Sequence, residues 1–181
     1  MGRPRIVGLF AGGPAFVKEA RASVRVDGLG VHGDRHYGRS PDRALLLVPD
    51  ASYDDLRTRG LDLPYGSLGE NLVVTELPAD GLAPGTRIDM GGVACEVVGP
   101  CPVCRSLAAV HPRLPKAAYG RRGVYLRVRD VGRLQRGDPV RIVGGPGPDD
   151  PAPFRGGATS PHVHDGPDAG RYATRPEETT R

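Results

Sequence analysis

The stretch that decides the fold is TRIDMGGVACEVV, residues 86–98. Apolar and polar residues alternate on both sides of Gly91-Gly92, which is the pattern of two antiparallel strands joined by a two-residue turn. We therefore predict a β-hairpin with strands at Thr86–Met90 and Val93–Val98. Cys95 lies on the same face of its strand as Val93 and Val97, so it is predicted to be a packed core thiol.

Short segments of the same kind, bounded by Gly, Pro or Asp, predict the other strands. A helix is predicted over Ser52–Arg59, with Asp50 or Ser52 as its N-cap and with Tyr53 and Leu56 on one face. Many short strands with turn signals between them indicate a mainly β fold, a barrel or sandwich with small helical insertions. The further predicted strands are Ile6–Phe10, Ser23–Val26, Ala44–Val48, Asn71–Thr75, Val124–Val128 and Pro139–Val143.

Composition divides the chain into a folded body, residues 1–144, and a tail, residues 145–181. The tail holds seven Pro and six Gly and few large apolar residues, so we predict that it is disordered. No apolar run is long enough for a transmembrane helix, and the start of the chain does not resemble a secretory signal. Three cysteines cannot form a disulfide framework. We therefore expect a soluble cytoplasmic protein.

The net charge is +4, and the basic residues are scattered along the body. No basic run is longer than Arg121-Arg122, and aromatic residues are not interleaved with the basic ones. Nucleic-acid binding is therefore not indicated, and a phosphorylated small molecule fits this modest excess better.

The motif Cys101-Pro-Val-Cys104 is the stretch of the sequence best suited to a chemical role. It follows a predicted strand directly, and loops at strand ends often hold reactive groups. Cys104 precedes Arg105 and a short predicted helix over Arg105–Val110, and both would favour the thiolate. A reactive cysteine, a metal ligand and an inert thiol all remain open. A thioredoxin-like redox pair would need a βαβ context, and a zinc site would need more ligands than the nearby His111.

Two polar motifs are further candidates for ligand binding. In Gly33-Asp34-Arg35-His36, the flexible glycine lets a ligand approach and Arg35 offers a fork for phosphate, although the motif by itself is better explained by a turn with a surface Asp–Arg pair. In Glu70-Asn71, an acid and an amide suit the edge of a heterocycle, although Asn71 could equally cap a turn.

Taken together, these motifs resemble a MOSC domain, the fold named after the C-terminal part of molybdenum cofactor sulfurase. The resemblance covers about residues 6–143. The matching segments are Gly28-Leu29 through Arg35, Arg43 to Leu47, Leu61 to Pro64, Gly69 to Leu72, Leu82 to Ile88, Val98-Gly99-Pro100 through Cys104, and Gly137-Asp138.

The resemblance implies a β-barrel and a pocket for sulfur or for a molybdenum–pterin cofactor. Cys104 matches the family cysteine that carries a persulfide or ligates molybdenum, and a soft thiolate suits either role. Arg35 matches a pocket arginine, and Glu70-Asn71 matches a stretch that lines the pocket. Neighbouring side chains complete the candidate binding set: Asp34, His36 and Arg105. Cys101 departs from the family pattern and is a candidate resolving thiol.

These features predict a stand-alone MOSC-like protein that handles sulfur through Cys104, by persulfide transfer or by carbon–sulfur chemistry on a small molecule. The alternative is a molybdenum–pterin carrier module without catalysis of its own. A plain redox or zinc protein built on Cys101 and Cys104 is a third hypothesis. No segment resembles the aminotransferase-like domain of the sulfurase, so no pyridoxal phosphate site is predicted. A separate cysteine desulfurase is the implied sulfur donor, and a small molecule or cofactor is the implied acceptor.

Overall fold

A computed structural model describes residues 2–13, 16–77 and 82–145 of the 181-residue chain. The predicted tail lies outside these residues apart from Gly145. The described part contains eleven strands: β1 (Arg5–Ala11), β2 (Glu19–Ala20), β3 (Ser23–Asp27), β4 (Gly30–Val31), β5 (Leu45–Pro49), β6 (Leu72–Thr75), β7 (Arg87–Met90), β8 (Val93–Pro100), β9 (Val124–Val128), β10 (Gly132–Gln135) and β11 (Val140–Gly144).

Eight of the strands form one curled sheet in the order β11-β7-β8-β9-β5-β6-β1-β2, and β10-β3-β4 form a second, smaller sheet. All described strand pairs are antiparallel except β5 with β6. The large sheet curls until its two ends meet. The Ile6 amide donates to the Asp138 carbonyl at 3.0 Å, and the Val140 amide donates to the Pro4 carbonyl at 2.9 Å. The mainly β, barrel-like fold is thereby confirmed.

Strand β5 is buried on both faces, which explains its unbroken apolar sequence. Leu45 and Leu47 point into the barrel and join its core. Leu46 and Val48 point outward into a second apolar cluster beneath the helices. These helices are α1 (Asp50–Thr58), α2 (Leu114–Ala117) and a 3-10 helix (Arg105–Ala109), and another 3-10 helix (Pro41–Arg43) precedes β5.

The predicted hairpin is confirmed. Strands β7 and β8 pair in register from Met90–Val93 outward, and both turn glycines have positive φ, 58° at Gly91 and 90° at Gly92. The Cys95 side chain is buried in the barrel core, as predicted.

Helix boundaries differ from the sequence prediction in two places. Helix α1 begins at Asp50, directly after Pro49, and has no side-chain cap, so the predicted N-cap was wrong. The predicted helix over Arg105–Val110 is a 3-10 helix ending at Ala109. Three short strands, β2, β4 and β10, were not predicted, because their few residues show no clear alternation of apolar and polar side chains.

None of the helices in the described part of the chain is long and apolar enough to cross a membrane.

Candidate functional site

Cys104 lies in the loop after β8, immediately before the 3-10 helix. Its side chain is partly exposed, whereas Cys95 and Cys101 are buried. Burial raises the pKa of Cys95 to about 12. Cys104 is therefore the cysteine that a small molecule or a partner protein can reach.

A buried arginine, Arg122, contacts the Cys104 thiol. Its Nη1 donates to Cys104 Sγ at 3.4 Å and to the Pro102 carbonyl at 2.6 Å. Its Nε and Nη2 both donate to the Leu68 carbonyl at 3.3 Å. The guanidinium keeps its charge, and the two carbonyls fix its place. The sulfur atom consequently faces a stationary positive charge.

The pairing of β8 with β9 brings Arg122 and Cys104 together. Pro100 lies opposite Val124, and the Cys101 amide donates to the Gly123 carbonyl at 2.9 Å, so the residues just outside the two strands meet. Gly123 has φ +79°, and a Cβ there would lie 2.0 Å from the Leu47 carbonyl oxygen. Only glycine permits this approach of β9 to β5.

Phe16 links this site to Arg35. The guanidinium carbons of Arg35 and Arg122 lie 5.6 and 5.8 Å from the centre of the Phe16 ring. These distances are within the range of cation–π attraction. Phe16 is partly buried and packs against the outer apolar cluster that also contains Cys104. Two cationic side chains are thus brought to one aromatic ring, and one of them, Arg122, also contacts Cys104.

The loop Gly66–Glu70 holds the carbonyl that positions Arg122. Glu70 is fully buried and accepts hydrogen bonds from the Tyr53 hydroxyl, the Gly66 amide (2.7 Å) and the Leu68 amide (3.1 Å). Burial raises the pKa of Glu70, and these donors act in the opposite direction. Both carboxylate oxygens are used inside the protein, so the structure places Glu70 as a support of the loop.

Asn71 ties three strands together. Its Oδ1 accepts from the Leu46 amide at 3.1 Å, and its Nδ2 donates to the Phe10 carbonyl and to Asp34 Oδ2, each at 3.2 Å. Because the side chain is buried, these contacts join β5, the start of β6 and the end of β1.

Asp34 forms a buried ion pair with Lys18, a residue that sequence analysis did not select. Lys18 Nζ lies 2.9 Å from Asp34 Oδ2, and the two side chains are 2% and 3% exposed. Burial lowers the pKa of Lys18, although Asp34 opposes this shift. Burial alone would raise the pKa of Asp34, but hydrogen bonds from His36 and Lys18 and the Lys18 charge bring it below its ordinary value. The His36 ring is largely exposed beside this pair.

Cys101 faces a tyrosine rather than solvent. Its Sγ donates to the Pro102 carbonyl at 3.6 Å, and Tyr125 acts on its pKa in the direction opposite to burial. Burial raises the pKa of Cys101, and the charge of Arg122 opposes that shift. On its outer side Tyr125 lies under the Arg43 guanidinium, 5.3 Å from the ring centre, and both line a cleft of about 420 Å³.

Five of the predicted site residues lie around one end of the large sheet, but they have different structural roles. These residues are Asp34, Arg35, Glu70, Asn71 and Cys104. Arg105, expected to favour the thiolate, is exposed at the start of the 3-10 helix. The five-residue 3-10 helix is too short for a useful helix dipole, and the effect of Arg105 on the thiolate stays a prediction.

Arg122 is the contact that sequence analysis missed. Its only local signal was its position directly before Gly123 and strand β9.

A profile of the MOSC domain family matches residues 32–141. The chain belongs to the MOSC domain family. The match spans more than half of the chain and includes Asp34, Glu70, Cys104 and Arg122, so it confirms the resemblance carried by the sequence motifs. No curated protein sequence matches the chain in a direct comparison.

Solved structures share the MOSC-type fold. The YuaD protein from Bacillus subtilis superposes with a TM-score of 0.68 at 23% identity, covering 77% of this chain and 94% of that one. YiiM from Geobacillus stearothermophilus gives 0.66 at 27% identity, covering 78% and 75%. YiiM from Escherichia coli gives 0.60 at 21% identity, covering 78% and 70%. The likenesses at 23% and 21% identity concern the fold.

Proposed function

We propose that this MOSC-domain protein accepts sulfane sulfur on Cys104 and passes it to a small anionic acceptor. One observation carries the proposal: the exposed cysteine of the described part lies 3.4 Å from a buried, fixed guanidinium. The Cys104 thiolate is the attacking group when sulfur is loaded and the leaving group when sulfur is released, and a fixed cation stabilises this anion in both steps.

The transfer requires no net oxidant. The Cys104 thiolate attacks the terminal sulfur of a donor persulfide, a new sulfur–sulfur bond forms, and the donor leaves as a thiolate. The acceptor then attacks the terminal sulfur, and Cys104 leaves as a thiolate. A cysteine desulfurase fits as the donor because its persulfide supplies the sulfur in this oxidation state.

Mass spectrometry of the protein after incubation with a cysteine desulfurase and cysteine tests the proposal. We expect a mass increase of one sulfur atom on the peptide containing Cys104, and none in Cys104→Ser. Absence of the adduct, or an adduct only on Cys95, would overturn the proposal. Carbon–sulfur chemistry at the same thiolate would instead leave a carbon-containing adduct, so the measured mass separates the two variants.

A second candidate function is binding of a molybdenum–pterin cofactor, favoured by the convergence of Arg35 and Arg122 on Phe16 beside Cys104. The donor set fits: a thiolate suits a soft metal, and guanidinium groups suit an anionic pterin. When bound, the cofactor would supply oxygen-atom or sulfur chemistry at molybdenum, while Cys104 would ligate and the arginines would orient it. Stoichiometric molybdenum in protein from a cofactor-producing host, reduced in Cys104→Ser, would support this function. Metal-free, pterin-free protein with sulfur-transfer activity would refute it.

A further inference from the structure

A second cationic feature lies on the small sheet, away from Cys104. A cleft of about 320 Å³ opens between this sheet and the end of β1. None of its lining residues is a carboxylate, and none belongs to the set around Cys104. Its polar lining residues are Arg21, Ser23, Arg25, His32 and Arg133.

Three of these residues form a single row across the sheet. Arg25 of β3 lies directly opposite Arg133 of β10. On the other side, the His32 amide donates to the Arg25 carbonyl at 2.9 Å, which places His32 beside Arg25. Side chains directly opposite on antiparallel strands have Cβ atoms only about 5 Å apart. The two guanidinium groups are therefore forced into proximity by the register.

On the large sheet, three strand arginines face acids. Arg127 and Arg87 both lie opposite Glu96, and Arg141 lies opposite Asp89. Like charges directly opposite each other destabilise a sheet. The pair Arg25–Arg133 thus departs from the pattern that the same protein uses on its large sheet.

The acids near the cleft are already engaged. Glu19 accepts from Arg21 at 2.7 Å, and Asp27 accepts from His32 at 2.8 Å. Asp27 also accepts from the Tyr37 hydroxyl at 2.8 Å. These hydrogen bonds come from other side chains, and none of them involves Arg25 or Arg133.

Neither of those arginines forms an ion pair with a carboxylate in the described part of the chain. Arg133 donates to the Ser23 hydroxyl at 3.0 Å. The hydrogen bond to Asp27 and burial raise the pKa of Tyr37, and the positive charge of Arg25 acts in the opposite direction. Two positive charges without a carboxylate between them match the charge of one phosphate monoester.

We propose that this cleft binds the phosphate group of a small phosphorylated molecule or inorganic phosphate. The anion bridges Arg25 and Arg133, whose planar forks suit its oxygen atoms, and relieves their mutual repulsion. The Ser23 hydroxyl supplies a neutral donor at the same edge. The cleft is large enough for a small ligand and too small for a folded partner. The site is independent of the sulfur chemistry proposed at Cys104.

Calorimetry on the full chain at about 0.15 M salt tests the site, because screening suppresses nonspecific attraction. The probes are inorganic phosphate, ribose 5-phosphate and uncharged ribose. We expect both phosphates to bind and ribose to show no binding. Equal affinity for the two phosphates would identify a site for the free anion, and tighter binding of the ester would identify a phosphorylated metabolite.

Variants distinguish a specific site from a net-charge effect. Arg25→Ser and Arg133→Ser should each weaken phosphate binding by roughly tenfold or more, because each removes a charged hydrogen-bond donor. The matched control Arg141→Ser removes the same charge from a surface strand and should leave affinity within about twofold. The proposal is overturned if the control loses as much affinity, if the Arg25 and Arg133 variants bind normally, or if only a polynucleotide binds.

A measurement on the unmodified protein guards against misfolded variants. In nuclear magnetic resonance titrations with inorganic phosphate, the Nε–H signals of Arg25 and Arg133 should shift together and saturate. Unchanged signals from both arginines would overturn the proposal regardless of how the variants behave.

Discussion

The Arg122 guanidinium is held by the carbonyls of Leu68 and Pro102, and it also contacts the Cys104 sulfur and the Phe16 ring. A side chain held in this way loses little freedom when it stabilises a charge, because its geometry is set before any ligand arrives. Its value to the site therefore depends on Glu70, which organises the Leu68 backbone from the far side of the loop.

Replacing Arg122 should impair sulfur loading more than replacing the sequence neighbour of Cys104. Arg122→Met removes the fixed charge, so we expect the rate of persulfide formation to fall by at least about tenfold, the loss of one charged hydrogen bond. Arg105→Met serves as the control and should change the rate by less than about twofold. Mass spectrometry of samples quenched at successive times measures both rates. Equal losses in the two variants would show that the charge near Cys104 is not supplied specifically by Arg122.

The buried Asp34 predicts a defined acid sensitivity. Its pKa in the folded protein lies below the ordinary value of 3.8, so its ionised form stabilises the fold above that pH and this contribution is lost as pH falls. Asp34→Asn should be less stable near neutrality, because it leaves Lys18 buried without its partner, and should depend less on pH below about 4.

Urea denaturation between neutral and acid pH measures this dependence. Asp62→Asn, a change at an exposed carboxylate, is the control and should keep the wild-type slope. A wild-type slope in Asp34→Asn would contradict the role assigned to the ion pair.

Strand β9 is the element that builds the site, because its first residues lie against the end of β8 and against β5. The hairpin before it could be predicted from sequence, since alternation and Gly91-Gly92 are local signals. The contact of Arg122 with Cys104 could not, since it joins residues 18 positions apart and depends on strand register. Glu70 was selected as a polar residue, but its supporting role depends on where α1 places Tyr53.

Gly123, directly before β9, is the position at this strand where backbone conformation matters most. Gly123→Ala would place a methyl group 2.0 Å from the Leu47 carbonyl, in addition to the strain of positive φ. We expect a loss of more than about 3 kcal/mol in the free energy of unfolding, because backbone atoms have to move.

The matched control is Gly92→Ala, where φ is also positive but nothing lies within 4 Å. It should lose only about 1–2 kcal/mol, the cost of the left-handed conformation. Thermal and chemical denaturation compare the two variants. Similar losses would show that the contact with Leu47 does not constrain β9.

At the scale of the whole molecule, the curled sheet joins its ends through hydrogen bonds between residues around the start of β1 and residues around the start of β11. We expect the Ile6 and Val140 amides to exchange with solvent as slowly as the Leu47 amide in the sheet centre. Hydrogen exchange followed by nuclear magnetic resonance reads each amide. Fast exchange at both closing amides, with protection at Leu47, would indicate that the two ends separate in solution.

The closed sheet also separates two apolar cores. Cys95 lies in the barrel interior, where no substrate reaches it, whereas Cys101 and Cys104 belong to the outer cluster beneath the helices. Chemistry at the outer cluster leaves the barrel intact, so loop variation there changes function without loss of the fold.

Tracing of isotopically labelled sulfur tests the central claim most directly. Labelled cysteine and a desulfurase load the protein, an excess of thiol acceptor follows, and peptide mass spectrometry locates the label at each time. The account predicts label on Cys104 in the wild type and in Cys101→Ser, followed by its departure to the acceptor, and no label in Cys104→Ser. Three results would contradict it: label that never reaches Cys104, label that stays on Cys104 after the acceptor is added, or a Cys101→Ser variant that takes up as little label as Cys104→Ser.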